Sequence, residues 1–218
     1  QHELGVTVAV DGAHAAASVA LDVAAVGADY YIANLHKWCC APRGVGFVAV
    51  DEGSRAAFRP AVVGSRWDEG FPAAMEWWGT ADYSALLCAP SALDMLDRLG
   101  VLRVRDHGQR LAAWGQGIVA AALGTTPQRL PHAAMALVPL PPGIADTRPE
   151  ARRLREVIAD RLAAEVVVVA HGGRGYLRLS AHVYNRPGDY ERLAAGLPQV
   201  LGDAAGPATA TERSGPVG

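Results

Sequence analysis

Lysine is almost missing from this chain of 218 residues: Lys37 stands alone against nineteen arginines. A chain that places nearly all its positive charge on arginine, yet keeps one primary amine, sets that position apart. Only the amine can lose its proton and become a nucleophile. An arginine-rich composition alone is the plain alternative. Other scarcities exclude whole classes. Three cysteines, two of them adjacent at Cys39 and Cys40, cannot build a disulfide framework, and no CxxC pair offers zinc ligands. That suits a reducing cytoplasm, the expected location. The longest apolar stretches, at 166–170 and an interrupted one near Ala120, are too short to span a membrane. A formal net charge of −2 argues against a nucleic-acid partner. Gln1-His2-Glu3 carries no signal-peptide pattern, and a start without Met, almost directly on a strand, points to a chain cut from something larger.

What is present is a globular composition, half hydrophobic and 19% charged. Residues 7–10 read as a short buried strand ended by Asp11-Gly12, and 21–27 as a short helix closed by glycine. Strands follow at 29–34 and 45–50, too close for a helical crossover, so they are antiparallel or not direct neighbours. Residues 58–80 are irregular and rich in Trp, Gly and Pro, a length more often functional than idle. Helices are expected at 82–99, ended by Gly100, and at 101–123, ended by Gly124. Then come a strand at 134–138, a helix at 149–164, strands at 166–170 and 176–180 paired across Gly172-Gly173, and a helix at 187–201. His171 belongs to that turn rather than to a metal site, for no second ligand stands at metal spacing.

Two strand ends carry the chemistry. One bears Asp11 and the other leads into His36-Lys37. In open α/β sheets, ligands sit beyond the carboxyl ends of strands. A lysine that forms an imine, beside a carboxylate that keeps a pyridinium nitrogen protonated, is the arrangement for pyridoxal phosphate. Five ordered segments then resemble one family: Val10-Asp11-Gly12-Ala13-His14, Gly27-Ala28-Asp29-Tyr30, Asn34-Leu35-His36-Lys37-Trp38 with Ala41-Pro42-Arg43-Gly44 behind it, Gly79-Thr80-Ala81-Asp82, and Leu177-Arg178-Leu179-Ser180 followed by Tyr184-Asn185 and Asp189. They resemble class V, fold-type I pyridoxal-phosphate enzymes, and within them isopenicillin N epimerase-like members.

The resemblance implies an α/β fold, the C-terminal part of a fold-type I transferase: part of the large-domain sheet plus the α+β small domain. Residues 1–82 would belong to the large cofactor-binding domain, 83–124 to linking helices, 125–202 to the small domain, and 203–218 to a disordered tail. It assigns Lys37 the Schiff base to pyridoxal 5′-phosphate and the later acid–base step at the substrate's alpha carbon. Asp11 would pair with the ring nitrogen and His14 with the phenolic oxygen. His36 and Asn34 would lie at the phosphate, with Thr80 reaching a neighbouring subunit's phosphate. Arg178 would grip the substrate carboxylate. A homodimer with a shared site, an amino-acid-type small-molecule substrate, and no nucleic-acid, membrane or metal partner complete the expectation. The family's phosphate-cradling turn and ring-stacking group are not found in this sequence.

Each residue also has an ordinary reading. Asp11 caps a helix, His14 is a satisfied partly buried histidine, Asn34 is a turn residue, Thr80 starts the next helix, and Arg178 pairs with a nearby carboxylate. Trp67, Trp77 and Trp78 either line a pocket or pack the long loop. The reaction stays open among epimerisation, transamination and β- or C–S-lyase chemistry. Persulfide-forming desulfuration is disfavoured, since no cysteine follows Cys88. A non-catalytic split or truncated partner chain is the alternative from another class.

Overall fold

The computed structural model describes residues 4–77, 79–127 and 133–205. Trp78, the approach to the fourth strand at 128–132, and the tail from 206 lie outside the described residues. The chain divides into two compact units, Gln1–Arg105 and Asp106–Gly218.

The first unit is built on a three-stranded sheet of β1 (Ala9–Asp11), β2 (Tyr30–Asn34) and β3 (Gly46–Val50), in that order. β1 and β2 are parallel, with Asp11 opposite Ile32, and β2 and β3 are antiparallel, with Asn34 opposite Gly46. The short 34–46 connection allows only the antiparallel choice. The first strand starts two residues later than the apolar run and includes Asp11, because Val8 spends its N–H on the Asp29 carboxylate, 2.8 Å away. Between β1 and β2, α1 (Val23–Val26) is capped by Asp22, whose carboxylate accepts from Ala24 and Ala25, and is closed by Gly27 at φ 66°. Buried Ala16, Tyr31, Ala33 and Cys39 pack with Leu96 and Val104 as this unit's core.

The long loop holds a 3-10 turn at Trp67–Glu69 and α2 (Ala73–Glu76). Trp77 packs on Tyr83 in a stacked pair, ring centroids 6.0 Å apart. The single helix expected over 82–99 is two: α3 (Ser84–Leu87) and α4 (Ala89–Leu99). Pro90, in the first turn of α4, has no N–H to continue the ladder and favours a fresh start there. Asp82 lies outside the helix, its carboxylate accepting from Ser84 N–H at 2.8 Å. α5 (Val101–Leu123) matches its expected bounds and leads into the second unit.

The second unit has an antiparallel sheet in the order β4 (Met135–Pro139), β6 (Arg174–Ser180), β5 (Val167–His171). Gly172 and Gly173, at φ 57° and 71°, make the β5–β6 turn that L side chains resist. Leu177 and Leu179 of β6 turn inward against α6 (Arg148–Leu162) and α7 (Pro187–Ala205), where Ile158 and Leu197 are fully buried. α6 opens with a capping box between Thr147 and Glu150. α7 runs to Ala205 instead of ending before Gly202, so the first three residues assigned to the tail are helical. Arg161 on α6 and Asp203 on α7, 2.5 Å apart, hold that last turn.

Candidate active site

Parallel pairing of β1 and β2 delivers the segments that follow them to the same edge of the sheet. β3 enters from that edge, because it is antiparallel to β2. Asp11 and Asn34 therefore end their strands at this edge of the first unit's sheet, and His14, His36 and Lys37 follow on two turns, 12–18 and 35–41.

The first turn leaves β1 at Gly12, whose N–H still donates to Ile32 C=O at 2.7 Å. Asp11 is exposed, and one carboxylate oxygen accepts from Ala13 N–H at 2.9 Å. Buried Ser18 donates its hydroxyl back to His14 C=O. That bond ties the turn bearing His14 upon itself.

The second turn is closed by Ala41 N–H on Leu35 C=O, at 3.1 Å, and by Leu35 N–H on Val45 C=O, at 3.0 Å. Trp38 and Cys39 are buried and anchor it, while half-buried Lys37 emerges between anchored neighbours. Lys37 Nζ lies 3.4 Å from His14 Nε2, and Trp38 Nε1–H donates to His14 Nδ1 at 3.2 Å. His36 Nδ1 donates to Val45 C=O at 3.0 Å. Asn34 lies over Gly46: a Cβ on that glycine would sit 3.5 Å from Asn34 Oδ1. Burial pushes the Cys39 thiol up, with Cys40 adding to the rise, and burial does the same to Cys40. Both thiols beside Lys37 are thereby held as thiols rather than nucleophilic thiolates.

Two residues assigned by sequence lie elsewhere in their units. Thr80 is exposed on the segment leading to α3. Arg178 sits on the central strand of the second sheet, opposite Leu137 and Val167. It lines a cavity of about 360 Å³ with Asn185, Asp189 and Arg192. Its Nε–H is buried with no acceptor, and among the described residues it makes no ion pair. Asp189, the carboxylate in the same cavity, is engaged by Arg186 N–H at 3.0 Å and by Arg192 at 3.6 Å. The hydrogen bond from Arg186 holds its pKa below the usual carboxylate range. The nearby-carboxylate reading of Arg178 thus finds no partner here, and a buried guanidinium N–H remains to be satisfied.

Trp38 was the residue whose position the sequence could not interpret. It lies next to Lys37, but its partner His14 is 24 residues away, and no spacing rule joins them.

The donor set fits pyridoxal phosphate on its ring side: an amine for the aldehyde, a carboxylate at the same sheet edge for the ring nitrogen, and an imidazole against the amine. The family model for aminotransferase class-V matches residues 1–193. An isopenicillin N epimerase from Amycolatopsis lactamdurans is 35% identical over 90% of this chain and 53% of that protein. An L-cysteine desulfhydrase from Arabidopsis thaliana is 31% identical over 89% of this chain and 47% of that protein. The chain spans about half the length of the curated relatives it matches. The apo structure of a cysteine desulfurase from Thermococcus onnurineus NA1 aligns with a TM-score of 0.70 at 19% identity, over 93% of this chain and 54% of that one. That likeness speaks for the fold, which is part of the α/β fold-type I architecture. The family uses pyridoxal phosphate, as the residues at the sheet edge implied. From these matches, over nearly its whole described length, the chain belongs to the aminotransferase class-V family.

Proposed function

We propose that this chain carries the lysine-bearing part of a pyridoxal-phosphate enzyme that works at the alpha carbon of an amino-acid-type substrate. The observation that carries this reading is the sole lysine, 3.4 Å from His14 Nε2 at the sheet edge that also bears Asp11. The cofactor, when bound, supplies an aldehyde for the amine and a ring that withdraws electrons from the alpha carbon. Lys37 would hold the cofactor through its amine and would afterwards move the alpha proton. Asp11, whose exposed carboxylate has one oxygen engaged by Ala13, would stabilise the protonated ring nitrogen. His14 would donate to the ring's phenolic oxygen, and His36 and Asn34 would lie at the phosphate. Arg178, with a buried N–H lacking an acceptor, receives the substrate carboxylate in a planar fork that lysine cannot offer. Exposed Leu86, Leu87 and Leu93 on α3 and α4 support a homodimer, in which Thr80 would reach the second subunit's phosphate.

Among the reactions open to such a site, epimerase- or aminotransferase-like chemistry is preferred. The isopenicillin N epimerase relative supports it. Carbon–sulfur lysis is the second reading, favoured by relatives named as L-cysteine desulfhydrases. A reaction that parks sulfur on a thiolate is disfavoured: all three cysteines lie in the first unit, and the two beside Lys37 are raised in pKa. Incubation with cofactor and L-amino acids in heavy water, followed by proton NMR, tests the reading. Loss of the alpha-proton signal, abolished by Lys37→Ala, is expected. The products then separate the chemistries: the D-enantiomer, a 2-oxo acid, or released sulfide. Exchange that persists at full rate in Lys37→Ala would overturn it.

A further inference from the structure

The contact between Trp38 and His14 does more than fill space. An indole N–H can only donate, and a neutral imidazole has one donor and one acceptor nitrogen. Trp38 Nε1 lies 3.2 Å from His14 Nδ1, so that nitrogen must carry the lone pair. The other nitrogen, Nε2, then carries the proton, and it is the one 3.4 Å from Lys37 Nζ. The Nδ1–H tautomer and the imidazolium would both set a proton against the indole proton. Trp38 is fixed for this purpose. It is 8% exposed, meets His14 edge-on at 67° with centroids 6.4 Å apart, and sits in the turn closed by Ala41 and Leu35.

We infer that Trp38 is a positioning residue of this site, whose indole N–H locks His14 as the Nε2–H tautomer and so aims a proton donor at the Lys37 amine nitrogen. The unprotonated amine is the form that accepts that hydrogen bond, and it is the form that attacks an aldehyde. The same N–H is the donor that an oxyanion beside Lys37 requires. The catalytic sense of this arrangement rests on the pyridoxal-phosphate reading; the tautomer does not.

The test is made on the cofactor-free full chain with ring-¹⁵N-labelled histidine. Long-range proton–nitrogen correlation spectra report the tautomer of each of the seven histidines, and His14→Gln assigns the signal. At a pH alkaline enough to free the Lys37 amine, wild type is expected to show His14 mainly as Nε2–H. Trp38→Phe keeps a ring and deletes the donor, and should lower the Nε2–H to Nδ1–H ratio about fivefold, the factor that one hydrogen bond of ordinary net strength sets. The benzothienyl analogue of tryptophan at position 38 keeps the bicyclic shape and replaces N–H by sulfur. It should give the same shift, which a packing role alone would not produce. An Nδ1–H tautomer in wild type overturns the inference whether or not any variant folds. So does an unchanged ratio in the sulfur analogue. A tautomer that responds as expected in a chain whose Lys37 never takes up pyridoxal phosphate would remove the cofactor reading and leave Trp38's hold on His14 standing.

Discussion

Gly12 is the residue on which the geometry of the first turn depends, and Gly12→Ala is the most informative small change. The backbone there does not need a left-handed φ, so an alanine is conformationally allowed. The obstacle is a neighbour. A Cβ on Gly12 would lie 2.6 Å from Tyr31 Cε1 and closer still to the hydroxyl end of that ring. Ordinary carbon–carbon contact begins at about 3.5 Å, so ring and turn must part by about 1 Å or more. The ring cannot swing away cheaply: it is 3% exposed and stacked on Phe47 at 22°. Overpacking of this kind costs about 1–3 kcal/mol, which outweighs the gain of up to about 1 kcal/mol from a stiffer unfolded chain. A net loss of about 1–2 kcal/mol is expected from urea denaturation followed by tryptophan fluorescence. Tyr31→Ala supplies the control. It is costly by itself, but with the ring gone Gly12→Ala should cost less than about 0.5 kcal/mol. Equal costs in the two backgrounds, or no cost in wild type, would refute the reasoning.

Other consequences concern both units. Thr147→Ala deletes the capping box of α6 and should lower stability by about 1 kcal/mol, while Thr147→Ser should retain most of it; thermal unfolding with far-UV circular dichroism reads both. Tyr190 donates to Ser180 C=O at 2.6 Å, and burial pushes its pKa up to about 12 from 10.0. Between those values the unfolded chain releases a proton that the folded chain keeps, so this contribution is full below pH ~10 and lost as pH rises toward ~12. Urea midpoints from pH 9 to 12 should fall, and less steeply in Tyr190→Phe. Arg178→Lys should raise KM for carboxylate-bearing substrates by about tenfold or more, the scale of losing a charge-assisted hydrogen bond, with cofactor uptake at Lys37 unchanged. Loss of that uptake would mean Arg178 acts on the fold instead.

Local signals made much of the fold legible. Glycines closing α1, α5 and the β5–β6 turn all adopt positive φ, the property for which they were read as stops. The apolar runs became strands because each has one face in a core. What the sequence concealed was set by contacts across it. Leu86, Leu93 and Leu96 keep helical spacing through Pro90, so the break at Cys88 leaves the periodicity intact. Gly202 looked like a stop, yet α7 passes through it because Val200 and Leu201 are buried and Asp203 has Arg161. At the site, Asp11, His14 and Lys37 were readable as residue types at strand ends. The partner that orients His14 was not, because Trp38 reaches it through space.

The central claim is that the lone lysine is the cofactor amine. Its most direct measurement is the rate at which pyridoxal phosphate, trapped with borohydride, marks Lys37 in the folded chain and in the same chain unfolded in urea, by peptide mass mapping. The account predicts at least tenfold faster marking when folded, with the advantage lost in Asp11→Ala and in His14→Ala. Equal rates in the two states, or an advantage untouched by either substitution, would contradict it.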